Sequence, residues 1–285
     1  MVSPELAQQL IERSQPRGLL TGSRLLLLVL CGVVLGVAVA NPAVLHLPPL
    51  LARVVPLLLV LLLIVVARSR LKREQRRARH WTRASEAVLL EDWSTAGERL
   101  CDLLSRPVAN STVRTQGLLG LAAVADHCHQ YQSSQLLYEQ VLKDASGQPI
   151  QLHAAAVGMA AAMLRNDELT GAVQVTDQLA RQDWPRPWKA HVELVRLFRE
   201  AVMGQYDDIV DSADVRQALF RECLSTRSGY GYGLLALGHH RRGQTDQASR
   251  LWQDATLLIA PEKLLDQFPV LSELADRYPA CEVPL

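Results

Sequence analysis

Apolar and polar positions follow two different rhythms along this chain. From Leu25 to Ala67 the apolar run is almost unbroken: of 43 residues only Gly32, Gly36, Asn41, Pro42, His46, Pro48, Pro49, Arg53 and Pro56 interrupt it. A bilayer core about 30 Å thick takes roughly 20 apolar residues of helix per crossing, so the run suffices for two crossings but not three. Pro42, Pro48 and Pro49 cluster near its middle, where proline's missing N–H and fixed φ favour a turn. The prediction is a two-helix transmembrane hairpin over 25–67. From residue 84 onward the rhythm changes to paired amphipathic helices, and the whole chain reads as all-α.

That second region repeats. Five segments share a polar turn followed, in four of the five, by an aromatic or apolar residue and, in four of the five, by a small residue three positions later: Glu91–Ala96, His129–Ser134, Asp167–Ala172, Gly204–Ile209 and Gly243–Ala248. Their third positions are Trp93, Tyr131, Leu169, Tyr206 and Thr245, spaced by 38, 38, 37 and 39 residues. Small side chains recur where the two helices of each repeat must cross. The first-helix row is Ala84, Ala122, Ala160, Leu197 and Ala236; the second is Ala96, Ser134, Ala172, Ile209 and Ala248. The fourth repeat departs from both rows, with Leu197, Ile209 and an acidic stretch (Asp207, Asp208, Asp211, Asp214), so its second helix is expected to be skewed or shortened. Pro107, Pro149, Pro185 and Pro187 fall near the links between repeats, where helices should stop.

The segments resemble tetratricopeptide repeats, helix-turn-helix units with a usual period of 34. The last is the nearest in pattern, with Gly243, Ala248, Trp252, Ala255 and Pro261 in family order. The resemblance implies a TPR-like α-solenoid over 84–261. After Pro261, residues Glu262–Arg277 place Leu264, Leu265, Phe268, Leu271, Leu274 and Ala275 at helical spacing. This predicts a capping helix within 262–285 over the exposed end of the stack. The layout of 1–24 as an N-terminal segment, the hairpin, a basic connector over 68–83 and the repeat domain resembles HemY-type inner-membrane proteins in architecture.

Charge sharpens the division. Residues 1–83 carry 12 Lys/Arg against 3 Asp/Glu, while 84–285 carry 18 against 26, so the net of +1 is a cancellation. Arg68, Arg70, Lys72, Arg73, Arg76, Arg77 and Arg79 follow the second span, Arg13, Arg17 and Arg24 precede the first, and the turn region carries only Arg53. By the positive-inside rule both termini face the cytoplasm, and the HemY likeness implies a bacterial inner membrane. Ala38-Val39-Ala40 has the form of a signal-peptidase site, which leaves a cleaved first span as a rival topology. The connector reads as a stop-transfer signal that also contacts anionic lipid; the acidic domain beyond it argues against nucleic acid. Gly32 and Gly36 form a G-x-x-x-G that packs span one either on span two or on a second copy.

Candidate chemistry is sparse. The five cysteines (31, 101, 128, 223 and 281) contain no C-x-x-C pair, and neither a disulfide framework nor a zinc site is expected. His127-Cys128-His129 places two imidazoles at i and i+2, on different faces of a helix. No nucleotide, metalloprotease or nucleophile-elbow motif occurs, so no cofactor and no catalysis are expected. Gly229-Tyr-Gly-Tyr-Gly233 is read as the start of the fifth repeat's first helix, held close to its neighbour, and His239 and His240 as diverging. The repeat resemblance implies a groove lined by first helices: Gln116, Leu119, Asp126 and His127; Val157 and Arg165; His191, Leu194 and Phe198; Tyr230, Leu237, His240 and Arg241. The family's carboxylate-clamp positions carry none of this chain's Lys72, Lys143, Lys189 or Lys263, so an apolar or helical peptide is the better fit. The function expected is that of a membrane-anchored scaffold binding a partner protein, with an accessory factor or enzyme of a membrane-associated pathway such as tetrapyrrole synthesis as the alternative.

Overall fold

A computed structural model describes residues 2–16, 65, 68, 80–108, 110–144 and 148–278. Among them every regular element is helical. In chain order these are α1 (Pro4–Ser14), α2 (80–89), α3 (Trp93–Leu104), α4 (Ser111–His127), α5 (Tyr131–Asp144), α6 (Pro149–Arg165) and α7 (Leu169–Ala180). There follow α8 (Arg186–Val202), α9 (Tyr206–Asp211), α10 (Ala213–Cys223), α11 (Ser228–Arg241), α12 (Thr245–Leu258), α13 (Pro261–Gln267) and α14 (Ser272–Arg277). No described helix is long and apolar enough to cross a membrane. The predicted hairpin apart from Val65, with its Gly32 and Gly36, and the connector residues Arg70, Lys72, Arg73, Arg76, Arg77 and Arg79 lie outside the described residues, while Val65 and Arg68 are helical and exposed.

The repeat is written into the backbone. Six described residues have left-handed φ: Ser225, between α10 and α11, at 51°, and, in the turn inside each repeat, Glu91, His129, Asp167, Gly204 and Gly243, at 57°, 57°, 59°, 73° and 74°. These five turn residues are the first residues of the five segments picked out from the sequence, and their spacing is that of the repeat. After each, the next N–H bonds five residues back, Asp92 to Ala87, Gln130 to Ala125, Glu168 to Met163, Gln205 to Glu200 and Gln244 to His239, at 2.8–2.9 Å. This is the Schellman closure, in which a residue in the αL region lets the chain reverse while the last carbonyls of the first helix stay satisfied. All ten crossing positions, small or not, have no exposed surface.

Two compact bodies divide the chain, Met1–Ala7 with Ala122–Leu285, and Gln8–Leu121. In the second, α3 and α4 approach closely enough that a Cβ on Gly117 or Gly120 would press on Leu103, Leu104 or Leu100. The C-terminal part of α1 is bound here too: Arg114 donates from Nε to Ser14 Oγ at 3.1 Å and from a terminal nitrogen to the Ile11 carbonyl at 3.2 Å, and the Val108 N–H bonds the Ser14 carbonyl. Leu10 and Ser14 are buried. In the first body the Val2 N–H donates to Gln130 Oε1 and Ser133 Oγ donates to the Val2 carbonyl. The N-terminal segment therefore folds onto the repeats, burying Ala7, Leu10 and Ser14, which stand at helical spacing along α1.

Within the first body α5 pairs with α6, α6 with α7, α8 with α9 and α11 with α12, while first helices pack in series, α6 on α8 and α8 on α11. Pro149, Pro187 and Pro261 sit in the first turns of α6, α8 and α13, where a missing N–H costs no hydrogen bond. The glycine-rich run does start α11: a Cβ on Gly231 would overlap Phe220, one on Gly229 would crowd Ile259, and one on Gly233 would crowd Leu271. The fourth repeat is broken as expected. Its second helix, α9, stops after six residues at Ser212, whose hydroxyl bonds the Asp208 carbonyl, and resumes as α10.

The capping expectation needs correction. Glu262–Arg277 is not one helix: Pro269 cannot continue α13 and restricts the residue before it, so Phe268 turns out at φ −136°, ψ 80° and the segment becomes α13, a 3-10 turn (Pro269–Leu271) and α14. Leu264, Leu271 and Leu274 are nonetheless fully buried.

Candidate functional site

Arg165, Phe198, Tyr230, His240 and Arg241, five of the eleven expected groove positions in the first body, converge on the chain's own C-terminal segment. Arg165, at the end of α6, is the hub. Its side chain is 8% exposed. One terminal nitrogen donates to Asp126 Oδ2 at 2.6 Å, the other to Gln267 Oε1 at 3.0 Å, and Nε donates to the Gln267 carbonyl at 3.1 Å. The guanidinium carbon lies 5.8 Å from the Phe198 ring centroid and 5.7 Å from that of Phe268, within the range of a cation-π contact. Phe268 meets Phe198 edge-on at 4.8 Å and Tyr230 at 5.6 Å. One phenyl ring is thus held in a notch built from α8 and α11, beneath a cation supplied by α6.

Asp126 is tuned by this setting. Burial pushes its carboxyl above the ordinary carboxylate range, against the pull of the Arg165 guanidinium, because Oδ1 is buried with no hydrogen-bond donor while Oδ2 has the guanidinium. Burial likewise raises the Tyr138 hydroxyl.

The rim of the notch is charged and more open. His129 Nε2 approaches Asp266 Oδ1 at 3.1 Å, and its Nδ1 bonds the Tyr131 hydroxyl at 2.7 Å. Arg241 grips Glu273 with two donors at 2.7 and 2.6 Å and lies over the Tyr206 ring. His240 Nδ1 bonds the Tyr278 hydroxyl at 3.0 Å, whereas His239 turns to Gln244, so the adjacent imidazoles do diverge.

Other expected positions lie elsewhere. Leu237, at 1% exposure, belongs to the core, and Val157 and Leu194 pack against it; Phe198, the floor of the notch, is itself a core residue at 2% exposure. Truncating Phe198 would open the core, so it is no surface probe. Gln116 and Leu119 lie half-buried on α4 in the other body, and His127 half-buried at its end. His191 bonds the Pro187 carbonyl and joins an aromatic cluster with His153, Trp184 and Trp188. His153 Nε2 pairs with the Trp188 carbonyl at 3.0 Å, and burial lowers its pKa. Beside it an open cleft of about 280 Å³ is lined by Trp184, Lys189, Val192 and Glu193. No group of three metal-ligating side chains occurs among the described residues. The sequence reading did not foresee Gln267 and Phe268 as groove residues; the signal was an aromatic followed by proline inside an otherwise helical pattern, which marks a side chain presented from an irregular backbone.

No family model, curated protein or solved structure matches the chain.

Proposed function

We propose that the chain is a membrane-tethered, TPR-like scaffold whose first-helix face binds a peptide segment of a partner protein. The observation carrying this reading is that Arg165, braced by Asp126, together with Phe198, Tyr230 and Arg241, drawn from the first helices of successive repeats, engages one irregular stretch of polypeptide with a ring, a backbone carbonyl and an acidic side chain. A face that holds such a stretch in cis has the chemistry to hold one in trans. Stacked first helices, α6 on α8 on α11, are the arrangement by which an α-solenoid presents an extended surface.

The anchor is the apolar run 25–67. Docking of α1 supports the topology in which both ends of that run lie on one side of the membrane. Residues before the run bond Arg114, Gln130 and Ser133 after it, which favours a reading with an even number of crossings. Cleavage after Ala40 would remove α1 and strip Arg114 of its Ser14 and Ile11 acceptors, which disfavours the signal-peptide topology. With the positive-inside rule the repeats face the cytoplasm, where tethering raises the effective concentration of partners on the same surface.

The test is photocrosslinking in intact membranes with a crosslinker at the exposed positions Arg242 or Glu262, comparing the full chain with Arg241→Glu and Arg165→Glu variants. Specific adducts lost in both variants are expected. An adduct set indifferent to both charge reversals in a folded protein overturns the groove as the binding face. Protease access to the N-terminus only from outside the cell overturns the topology.

A further inference from the structure

The groove already has an occupant, and the chemistry of that occupant identifies the ligand. Leu264, Leu271 and Leu274 seal the end of the stack as a cap does, and three further features give the stretch around Phe268 the character of a bound segment. First, it is joined to α12 through two extended residues, Ile259 (φ −138°, ψ 130°) and Ala260 (φ −55°, ψ 137°), followed by Pro261. Second, its helices have seven and six residues, below the length at which a helix holds itself together in water, so its order comes from the groove. Third, its contacts are those of a recognised peptide. Arg165 reads the main-chain carbonyl and the side-chain amide of Gln267, Phe268 fills an aromatic notch, and the flanking acids Asp266 and Glu273 meet His129 and Arg241 at positions 28–54% exposed. Backbone and amide contacts made by one arginine, an anchoring ring and peripheral charge pairs are how short segments are bound.

We propose that Asp266-Gln267-Phe268 is an internal stand-in for a partner segment of the same chemistry, an acidic residue, a hydrogen-bonding polar residue and then phenylalanine, and that the partner binds the Arg165–Phe198–Tyr230 notch by exchange with it. The proposal rests on the scaffold reading above and deepens it. Exchange replaces like contacts with like, so its balance turns on concentration. A segment tethered by a two-residue hinge acts at an effective concentration of about millimolar. A free peptide in the micromolar range is excluded from the intact chain, and a partner confined to the same membrane surface competes.

The experiment uses the full chain in detergent and a fluorescent synthetic peptide of residues 261–278, with anisotropy as readout. The wild-type chain is expected to bind weakly, and the Phe268→Ala chain at least tenfold more tightly, because its own segment has lost its anchor. A peptide with alanine in place of its phenylalanine is expected to bind neither, and Arg165→Ala in the Phe268→Ala background to abolish binding. Because Phe268 is 5% exposed and its truncation threatens folding, a second variant, Asp266→Lys with Glu273→Lys, loosens only the exposed charge pairs. It is expected to raise peptide affinity and to speed hydrogen exchange over 261–278 while leaving thermal unfolding of the repeats in place. The proposal is overturned if neither folded variant binds more tightly than wild type, or if the alanine peptide binds equally well. It is also overturned if crosslinking between differently labelled copies shows the segment passing from one copy to another as a swapped dimer. If exchange fails while the Arg165→Glu and Arg241→Glu variants still lose their partner adducts, the scaffold reading stands and the ligand chemistry is wrong. If exchange holds but no charge-sensitive adduct forms in membranes, the scaffold reading fails alone.

Discussion

The fourth and fifth repeats begin from the same turn and solve the same packing problem in opposite ways. Both reverse through a glycine in the αL region, Gly204 and Gly243. Past the turn, repeat five crosses its helices at Ala236 and Ala248, and α12 runs straight for 14 residues. Repeat four places Leu197 and Ile209 at the crossing, and α9 breaks after six. One helical period and more further on, at the register where repeat five has the buried Ala255, repeat four carries Arg216, also buried. Bulk at the crossing displaces the second helix, and the displaced helix is then fastened by charge where its neighbour is fastened by contact. Arg216 reaches Glu200 with two nitrogens, one at 2.8 Å to Oε1, and Glu193 with Nε at 3.3 Å. Burial works against the guanidinium's charge, but Glu200 and Glu193 outweigh it and hold its pKa above the ordinary value.

Removing that fastening is the largest effect expected. Arg216→Ala leaves Glu200, itself 3% exposed, as an uncompensated buried charge, and breaking such a pair costs about 3–5 kcal/mol. Urea unfolding of the full chain in detergent should show this loss, and Arg216→Met with Glu200→Met should recover most of it. If the single substitution costs less than about 1 kcal/mol, the two repeats do not differ in the way described.

Next comes the contact that lets a bulky crossing residue exist at all. Ile209 has no exposed surface because Gly238, on the first helix of repeat five, offers it a bare backbone; a Cβ there would overlap Ile209 Cγ2. Gly238→Ala should destabilise by about 1–3 kcal/mol as overpacking does, and Ile209→Ala in the same chain should remove most of that penalty. A double-mutant cycle measures the coupling; additivity would show that the glycine answers some other demand.

What could be read in the sequence divides along the same line. Spacing located every turn to the residue because the αL position and the buried small position are separate local demands that recur, and Ala96, Ala172 and Ala248 satisfy them where they stand. Repeat four was recognisable as irregular from Leu197 and Ile209, yet nothing local says that Arg216 turns inward, since its partners are contributed by α8. Arg165, Tyr230 and Arg241, expected on one face of the first helices from register alone, do share the face that meets the C-terminal segment. Phe268 was misread because its neighbours keep helical spacing on both sides of Pro269, and only the tertiary groove makes an irregular backbone worth adopting. The docking of α1 depends on Arg114 and Ser133, more than 90 residues distant, and the stripe of Ala7, Leu10 and Ser14 along α1 marks a buried face without naming what covers it.

The junction through which repeat four is entered offers a pH test. His153 on α6 holds the Trp188 carbonyl of α8, packed among Trp184, Trp188 and His191. Burial depresses its pKa below 6.5, and the hydrogen bond to Trp188 offsets this only in part, with His191 adding to the depression. Within this window the unfolded chain binds more protons than the native one, so stability rises with pH. The contribution is complete above about pH 6.5 and falls away as pH drops from there through the folded pKa. Thermal unfolding of wild type and His153→Phe should diverge in slope over that range; parallel curves would remove the histidine from the account.

The smallest effects return to the shared turn. Gly243 has nothing within 4 Å of where a Cβ would stand, so Gly243→Ala tests backbone conformation without packing. Its cost should be about 1 kcal/mol, the αL penalty of a residue with a Cβ. The converse is open at Asp167, which is exposed and holds the equivalent conformation at φ 59°. Asp tolerates αL better than most residues, so Asp167→Gly should stabilise by only a few tenths of a kcal/mol. The two substitutions taken together separate the turn from everything it connects. If both shift the urea midpoint in the stated directions, the difference between repeats four and five begins after the turn, at the crossing residues. If Gly243→Ala is neutral, the αL demand itself is weaker than the five recurring φ values imply, and the regular spacing of the turns must then be maintained by the buried crossing positions alone.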